Sequence, residues 1–404
     1  MMMTEKLYEK QSYLKECTTV VTECITENGA IYLRLRESVF FPEEGGQYSD
    51  TGTISTPDGT IRVQRGEVSG SAAKGETDVR YLVDREIPVG TGVHCCLDWE
   101  DRFDRMQNHS GEHILSGLMH SRFGFNNVGF HLSDTDSVTI DTDGVLTETE
   151  LSDLEREANA VIYENLPIRD TYPSKEALQS IDYRSKIEIS GQVRLITIGN
   201  ADRTVDVCAC CAPHVSRTGA IGIIKILFAE KFRGGMRLSI LCGRRALVYI
   251  ERNLDLLGKT AKLFSTRPDQ LLLIAEKMKG ENEHLHAEIA SAYEELIIRD
   301  IRAGVCRETV CTGMALGPVS MKNLYNTLRS LRAGFCGIFC GDDEKGYRYY
   351  AGGKDLDARI LAAGMKTALD AKGGGSAEMI QGKTTASKEQ IEAFFSQVNR
   401  SHPA

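Results

Sequence analysis

The sequence lacks a long apolar run. No stretch of its 404 residues approaches the roughly 18 consecutive apolar residues that a membrane-spanning helix needs, which excludes a transmembrane protein. The first ten residues, MMMTEKLYEK, contain no apolar segment of the kind that a secretory signal carries. We therefore expect a cytoplasmic protein with no membrane partner.

Excess positive charge is also missing. The chain has 48 Lys and Arg against 57 Asp and Glu, a formal net charge of −9. This balance argues against broad, non-specific binding of nucleic acid. It does not exclude an RNA partner that binds to a local basic surface. With 41% hydrophobic residues the chain is too apolar for an intrinsically disordered protein, and its length predicts two or three domains.

A disulfide framework is the third absence. The twelve cysteines include the adjacent pairs Cys95–Cys96 and Cys210–Cys211, a spacing that suits disulfides poorly. In a reducing compartment such cysteines are more often small buried side chains, metal ligands or catalytic thiols. We therefore treat them as candidates for these three roles.

Apolar periodicity predicts strands first and helices later. Apolar and polar residues alternate at 31–36, which predicts a half-buried strand, and Asp58–Gly59 predicts a hairpin turn. A helix is predicted at 102–123. A second helix is predicted from Thr147, whose spacing to Glu150 fits a capping box.

The second half contains a long helical region and a mixed tail. Residues 244 to about 300 are almost wholly helical by pattern. The 4-3-4-3-4 spacing of a short coiled-coil seam is formed by Met278, Asn282, Leu285, Ile289, Ala292 and Leu296. The seam fits a helical hairpin within one chain and a dimer zipper equally well. Strands are predicted at 194–198, 222–228, 236–241, 335–341 and 347–353, and helices near 320–332 and 355–370.

Two pairs of metal-binding residue types share one spacing. His109 and His113 are four apart on the predicted helix, so both imidazoles can reach a single ion from one face. Cys210 and His214 repeat that spacing about a hundred residues downstream. Together they form a borderline-soft set of nitrogen and sulfur donors that suits Zn²⁺. The alternative for the first pair is two surface or capped histidines.

Three motifs in a fixed order resemble a known domain. They are FFPEEGGQYSDTGTI, NHSGEHILSGL and DVCACCAPHVSRTGAIGIIKI, within residues 38–243. They are similar to the glycine-rich loop and the zinc-binding editing domain of alanyl-tRNA synthetase, a domain that also occurs in free-standing AlaX-type trans-editing proteins. The loop begins about forty residues into the chain, too early for a preceding adenylate-forming domain, so we expect the free-standing form.

The tail carries a further resemblance. The segment AAGMKTALDAKGGGSAEMIQG (362–382) is similar to the glycine-rich end of the DHH-associated domain of these synthetases, which points to the long form of AlaX. The resemblance implies an α+β protein with four parts. These are an N-terminal small β-barrel domain (1–95), a zinc-containing α/β editing domain (96–247), a helical, coiled-coil-like linker (248–300) and a C-terminal small α/β domain (301–404). A homodimer through the linker and the C-terminal domain is expected.

The resemblance also implies an activity. This is hydrolysis of the ester that joins a wrong amino acid, chiefly serine and secondarily glycine, to tRNA for alanine. An alanine pocket rejects glycine weakly, because one methyl group is worth about 1–3 kcal/mol, and it excludes an added hydroxyl poorly. Two rivals stay open: a non-catalytic tRNA-binding protein with a structural zinc, and a zinc hydrolase of small esters or amides.

Site residues follow from the same resemblance. The expected zinc ligands are His109, His113, Cys210 and His214, and the expected substrate-binding residues are Ser38, Gly45, Gly46 and Gln47. Gln47 is the candidate catalytic residue, since it can orient the substrate or a water. Ser38 is the candidate hydroxyl for recognising serine, with an exposed serine at a strand end as the alternative. The zinc either activates a water or holds the substrate, and four protein ligands would close the site.

The sequence departs from the family pattern in two loops. Glu44 replaces a usual glycine and Tyr48 a usual proline, and residues 210–214 are CCAPH where the synthetases have CGGTH. The lost glycines remove backbone freedom and put the loop geometry in question. Cys208 and Cys211 are alternatives to Cys210 as the thiolate.

Contacts to RNA are expected outside the zinc motifs. Candidate phosphate contacts, with a solvated surface as the equal alternative, are Arg233, Arg237, Arg244 and Arg245. The backbone N–H groups of Gly373–Gly375 are a further candidate. The segment Gly382-Lys383-Thr384 lacks the earlier glycine of a P-loop, so we expect no ATP site.

Overall fold

Two compact units, Met1–Leu257 and Gly258–Ala404, make up the chain. The structure is a computed structural model, and it describes residues 3–71, 76–132, 138–185, 192–305, 307–314 and 316–402. None of the helices within these ranges is long and apolar enough to cross a membrane.

The N-terminal part of the first unit is a closed six-stranded barrel. Its elements are β1 (Glu5–Lys6), α1 (Leu7–Lys10), β2 (Glu16–Glu27), β3 (Ala30–Leu35), β4 (Glu37–Ser38), β5 (Gly52–Thr56), β6 (Gly59–Ser71), β7 (Glu76–Val83) and β8 (Gly92–Leu97). The barrel order is β2-β3-β7-β6-β5-β8. Leu33 and Leu35 are buried in its core, as the predicted alternation requires. The predicted hairpin is confirmed, with Pro57 and Asp58 between β5 and β6.

Two antiparallel sheets and a buried helix complete the first unit. The elements are α2 (Trp99–Phe123), β9 (Asn127–Leu132), β10 (Val138–Thr142), α3 (Glu148–Glu164), β11 (Ile168–Thr171), α4 (Lys175–Leu178), β12 (Leu195–Gly199), β13 (Thr204–Ala209), β14 (Ile224–Phe232), β15 (Gly235–Cys242) and the part of α5 (Gly243–Leu263) that ends at Leu257. The sheet orders are β14-β15-β10-β9 and β11-β12-β13. The capping box that starts α3 is confirmed, because Thr147 and Glu150 exchange both hydrogen bonds.

Helix α2 passes through the interior of this unit. Its residues 104–119 are all buried, so the helix is enclosed on every side and its polar residues face protein. Two glycines allow the close approach. A Cβ on Gly111 would lie 2.3 Å from the Cys242 Sγ in β15, and one on Gly117 would lie 2.4 Å from the Val205 carbonyl oxygen in β13. The helix therefore brings its histidines between the two sheets.

The second unit is a five-stranded sheet with helices. Its elements are α6 (Leu271–Arg302), β16 (Thr309–Thr312), α7 (Pro318–Leu331), β17 (Phe335–Asp342), β18 (Gly346–Gly353), α8 (Ala358–Ala368), β19 (Lys372–Gly375), β20 (Ile380–Thr384) and α9 (Lys388–Ser401). The order is β16-β17-β18-β20-β19, with β16 and β17 parallel and the other pairs antiparallel. One core contains residues of α7, and another contains residues of α8 and α9.

The fold class is confirmed as a mixture of α and β structure with a six-stranded barrel. The division into four domains stays a prediction. Four apolar residues of the predicted seam, Met278, Leu285, Ile289 and Leu296, are 44–55% exposed on α6. The predicted dimer through this seam likewise stays a prediction.

Candidate metal centre

The structure brings His109, His113, Cys210 and His214 together. One ligand atom from each residue lies within 4.8 Å of those of the other three. The Cys210 Sγ is 3.6 Å from the His109 Nε2 and 3.4 Å from the His214 Nε2. All three histidines are buried, at 2–4% exposure. This is the group that the two matched spacings predict.

Each histidine is held by a partner on its outer nitrogen. The Nδ1 of His109 lies 2.7 Å from the Gln47 Oε1, and the Nδ1 of His113 lies 2.9 Å from the Asp206 Oδ2. The Nδ1 of His214 lies 3.0 Å from the Ser110 Oγ. A partner on Nδ1 fixes the orientation of a histidine ring and leaves Nε2 for a metal. The outer contacts therefore prepare three nitrogen donors.

The loop that carries Cys210 and His214 is fixed without glycine. Residues 210–214 all have negative φ, so they need no left-handed backbone. The guanidinium of Arg194 donates to the carbonyl oxygens of Cys210 and Ala212, at 3.1 and 2.9 Å. The departure from the CGGTH pattern is thus compatible with the four-residue group.

The surroundings distinguish Cys210 from its neighbours. Burial alone would raise the pKa of the Cys210 thiol, but the charge of His109 and hydrogen bonds with the three histidines lower that pKa well below its usual value. Burial raises the pKa of Cys208 to about 11. Burial and the charge of Cys210 raise the pKa of Cys211 well above normal. These directions favour Cys210 as the thiolate of the three.

The histidines differ in their affinity for a proton. Burial and the charge of His113 lower the pKa of His214 to about 3, so this imidazole is neutral. Burial opposes a charge on His113 as well, but Cys208, Asp206 and Cys210 outweigh it and raise its pKa well above normal. Burial would raise the pKa of Asp206, yet His113 and Arg184 lower it. Asp206 is therefore a carboxylate fixed between two cations.

The donors fit a zinc ion. Three imidazole nitrogens and one thiolate form a set that Zn²⁺ prefers, and four protein ligands match its tetrahedral coordination. A second group of candidate donors comprises His113, Asp206 and Cys208, and it shares His113 with the first. It suits a metal less, because Arg184 donates two hydrogen bonds to Asp206, at 2.7 and 2.9 Å, and Cys208 keeps its proton at neutral pH.

The glycine-rich loop lies against the same group. Gly45 and Gly46 have φ of 63° and 83°, and a Cβ on Gly46 would lie 2.3 Å from the Phe130 carbonyl oxygen. The loop closes through backbone hydrogen bonds between Glu44 and Gln47, at 3.1 and 3.2 Å, and Gly46 accepts one from the Leu132 amide. Glycines therefore let this loop reach β9.

A cavity of about 200 Å³ opens beside this loop. Its lining residues are Glu43, Glu44, Gly46, Gln47, Tyr48, His131 and Leu132. Gln47 is 1% exposed, and its Nε2 is buried with no hydrogen-bond partner among the described residues. Because its Oε1 contacts His109, Gln47 joins the cavity to the histidine and cysteine group.

Ser38 ends β4, which pairs with β1 outside the six barrel strands. The residue is fully buried, and its Oγ accepts a hydrogen bond from the Phe40 amide at 3.1 Å. The same hydroxyl interacts with Tyr81, whose own hydroxyl donates to the Phe40 carbonyl oxygen. Ser38 is not the exposed strand-end serine of the alternative reading, and it does not line the cavity beside Gln47. Its role in recognising serine stays a prediction.

Several residues of the site were not predicted. Asp206 belongs to the motif and precedes Cys210 by four residues, which is a usable signal, whereas Arg184 carries none. Glu112 is buried next to His113, and its Oε2 lies 3.8 Å from the His113 Nε2. Its Oε1 accepts a hydrogen bond from Ser116 at 2.6 Å.

The arginines predicted to meet RNA have protein partners. Arg237 pairs with Asp141 and Arg245 with Asp104, both at 2.6 Å. Arg244 lies 3.5 Å from an exposed Glu100 carboxylate. The guanidinium of Arg233 lies 5.0 Å from the ring centre of the adjacent Phe232. Ion pairing makes Arg237 and Arg245 weaker candidates than the exposed Arg244, and the RNA contact stays a prediction.

This chain is similar in sequence to several known proteins. The family model described as the threonyl and alanyl tRNA synthetase second additional domain matches residues 193–238. The chain is 29% identical to an alanine–tRNA ligase of Pyrococcus furiosus over 72% of this chain and 32% of the ligase. Residues 193–238, which lie in the first unit, thus resemble a domain of threonyl- and alanyl-tRNA synthetases.

Two relatives match along nearly the whole chain. The alanyl-tRNA editing protein AlaX-L of Pyrococcus horikoshii is 26% identical over 99% of both chains. The alanyl-tRNA editing protein Aarsd1 of Mus musculus is 24% identical over 96% of both. The predicted resemblance to AlaX-type editing proteins is confirmed.

Proposed function

We propose that the protein is an aminoacyl-tRNA hydrolase that deacylates mischarged tRNA for alanine, with serine as the main wrong amino acid and glycine as the second. The observation that carries this proposal is the group of three buried histidines and one half-buried cysteine, joined through Gln47 to a small cavity. Relatives that match the full length are named as alanyl-tRNA editing proteins, which supports the same activity.

The donor set supports Zn²⁺ as the cofactor. His109, His113, Cys210 and His214 would hold the ion, which when bound polarises an ester carbonyl or lowers the pKa of a water to about 7. Asp206 and Gln47 keep two of the imidazoles in the orientation that presents Nε2. Burial of the three histidines keeps bulk water away from them, so hydrogen bonds and charges act strongly there.

Gln47 has the geometry of a substrate-orienting residue. Its Oε1 is committed to the His109 Nδ1, which leaves the buried Nε2 as a free donor. An unsatisfied buried donor is costly, and an ester carbonyl oxygen of the substrate would satisfy it. Donors of this kind stabilise the charge that develops on the carbonyl oxygen during hydrolysis. Gly45 and Gly46 hold Gln47 in place by shaping the loop.

The cavity size favours a small aminoacyl group. About 200 Å³ is well below the roughly 300–1,000 Å³ of pockets that enclose drug-sized ligands. Glu43 and Glu44 at its wall carry negative charge, which suits the protonated amino group of an aminoacyl ester.

We further propose that the four domains are residues 1–95, 96–247, 248–300 and 301–404. We also propose that tRNA is the partner and that the protein acts on it in the cytoplasm.

The proposal is tested by deacylation of seryl-tRNA for alanine beside correctly charged alanyl-tRNA. Wild type is compared with His109→Ala and with His120→Ala, which removes an exposed histidine from the same helix. We expect rapid loss of serine, little loss of alanine, no activity in His109→Ala and full activity in His120→Ala. Zinc content and folding are measured for each protein.

Two other results would replace the proposal. Survival of both charged tRNAs with folded, zinc-loaded wild type would favour a non-catalytic tRNA-binding protein. Equal turnover of a free seryl ester and seryl-tRNA would favour a hydrolase of small esters. Neither result would contradict metal binding by this group, because zinc content is measured separately.

A further inference from the structure

A second cavity, of about 580 Å³, lies in the C-terminal unit. It is formed by the 313–314 segment, the β17–β18 turn and the ends of β19 and β20. Four cationic side chains reach it, namely Lys345, Arg348, Lys372 and Lys383, against two carboxylates, Asp342 and Asp370. It shares no residue with the metal centre or with the cavity beside Gln47.

Three of the cations form a row across the sheet. Arg348 of β18 lies directly opposite Lys383 of β20, and Lys383 lies directly opposite Lys372 of β19. Residues that pair in this way project from the same face, so the three charges are side by side. Neighbouring strands are about 4.8 Å apart, which confines the row to about 10 Å. We call these three residues the basic row.

The charge of the basic row is not balanced by nearby carboxylates. Within the described residues, no carboxylate oxygen lies within 4.0 Å of a nitrogen of the row, and the ion pairs of this unit involve other side chains. Asp342 instead accepts hydrogen bonds from the backbone of Glu344 and Lys345, at 3.1 and 2.7 Å. Like charges placed directly opposite one another destabilise a sheet. A bound anion would reduce the repulsion among the three positive charges, so the basic row is suited to binding an anion.

The two ends of the row differ. Arg348 is anchored, because its Nη2 donates to the Leu316 carbonyl oxygen at 3.2 Å. Lys372 lies on β19, the edge strand, whose four residues are all exposed. Gly374 follows two residues later on the same face and has nothing within 4 Å of its Cβ position. The free edge of β19 therefore offers bare backbone beside the lysines.

We propose that the basic row binds the phosphate group of a nucleotide. Arginine matches phosphate with a planar pair of donors, and lysines add point charges. A volume of about 580 Å³ falls within the range of pockets for ligands of nucleotide size. The phosphate belongs to a free nucleotide or to a nucleotide of an RNA. This site is independent of ester hydrolysis at the metal centre.

Calorimetry on the full chain tests the site with two small probes, AMP and inorganic phosphate. The test protein is Lys372→Ala/Lys383→Ala, and the control is Lys354→Ala/Lys366→Ala. The control removes the same charge from exposed lysines of this unit that lie outside the cavity. We expect saturable AMP binding in wild type and control, and at least tenfold weaker binding in the test protein. His109→Ala should bind AMP as wild type does.

Binding of tRNA at several salt concentrations identifies the source of the phosphate. Loss of two phosphate contacts should lower the slope of log affinity against log salt by about 2. An effect on AMP supports a free nucleotide as ligand, and an effect on tRNA alone supports a nucleotide within RNA. The proposal is overturned if the test and control proteins bind AMP, phosphate and tRNA equally.

The folded state provides a second readout. Repulsion within the row should make Lys383→Gln unfold at a higher temperature than wild type at low salt. Phosphate should raise the unfolding temperature of wild type more than that of the variant. Equal responses to phosphate in the two folded proteins would also contradict the proposal.

Discussion

Replacement of Asp206 by asparagine tests how the metal centre is organised. The carboxylate accepts hydrogen bonds from the His113 Nδ1 and from two nitrogens of Arg184, and its side chain is 1% exposed. Asparagine keeps the shape and one acceptor oxygen but removes the charge. We therefore expect two separate losses, one in zinc affinity and one in the stability of the metal-free protein.

The two losses have different sizes. Removing a partner that orients a ligand typically costs 10–100-fold in metal affinity, or about 1.4–2.8 kcal/mol. Breaking a buried ion pair costs about 3–5 kcal/mol. Arg184 is 11% exposed, and water can partly solvate it. We therefore expect the loss of unfolding free energy to lie near the lower end, at about 3 kcal/mol.

Competition with a zinc chelator measures the affinity, and denaturant unfolding of the metal-free protein measures stability. Asp202→Asn, in the exposed turn before β13, is the matched control. Arg184→Gln should reduce stability with a smaller effect on zinc affinity, because Asp206 still holds His113. A folded Asp206→Asn protein that binds zinc within about threefold of wild type would refute the assigned role.

Three further predictions concern the same site. Gln47→Glu keeps an acceptor for His109 but removes the Nε2 donor, so zinc content should persist while seryl-tRNA deacylation falls by about 10²–10³; unchanged turnover would contradict this. Gly46→Ala should destabilise the protein more than Gly29→Ala in thermal unfolding, because both have positive φ but only Gly46 has backbone within 2.3 Å of the new Cβ; equal losses would contradict the clash. Zinc binding at pH 7 should release a proton from His113, whose pKa is raised, and none from His214, whose pKa is about 3. Affinity should therefore rise with pH until the pKa of His113 is passed, and calorimetry in buffers of different ionisation heat checks the proton count.

Much of the fold follows from local patterns. Alternation at 31–36 predicts β3, and the Thr147 and Glu150 spacing predicts the start of α3, because both depend on neighbouring residues. The group of metal ligands could also be predicted from the sequence, since the two residues of each pair are four positions apart.

The outer contacts of the site could not be predicted in this way. Gln47 reaches His109 and Arg184 reaches Asp206 only because the barrel loop, α2 and β13 pack together. Nor does the sequence distinguish Cys210 from Cys208 and Cys211. That choice depends on which thiol meets three imidazoles once β13 has ended at Ala209.

The separation of the metal ligands along the chain has a consequence for folding. His113 and Cys210 are joined by about a hundred residues that include the strands β9 to β13 and the helix α3. Closing so long a loop in an unfolded chain is entropically costly, so zinc would bind the folded protein far better than the unfolded one. The ion would then act as a cross-link that slows unfolding. Zinc should therefore raise the unfolding temperature and lengthen the lifetime of the native state, and a chelator should shorten that lifetime.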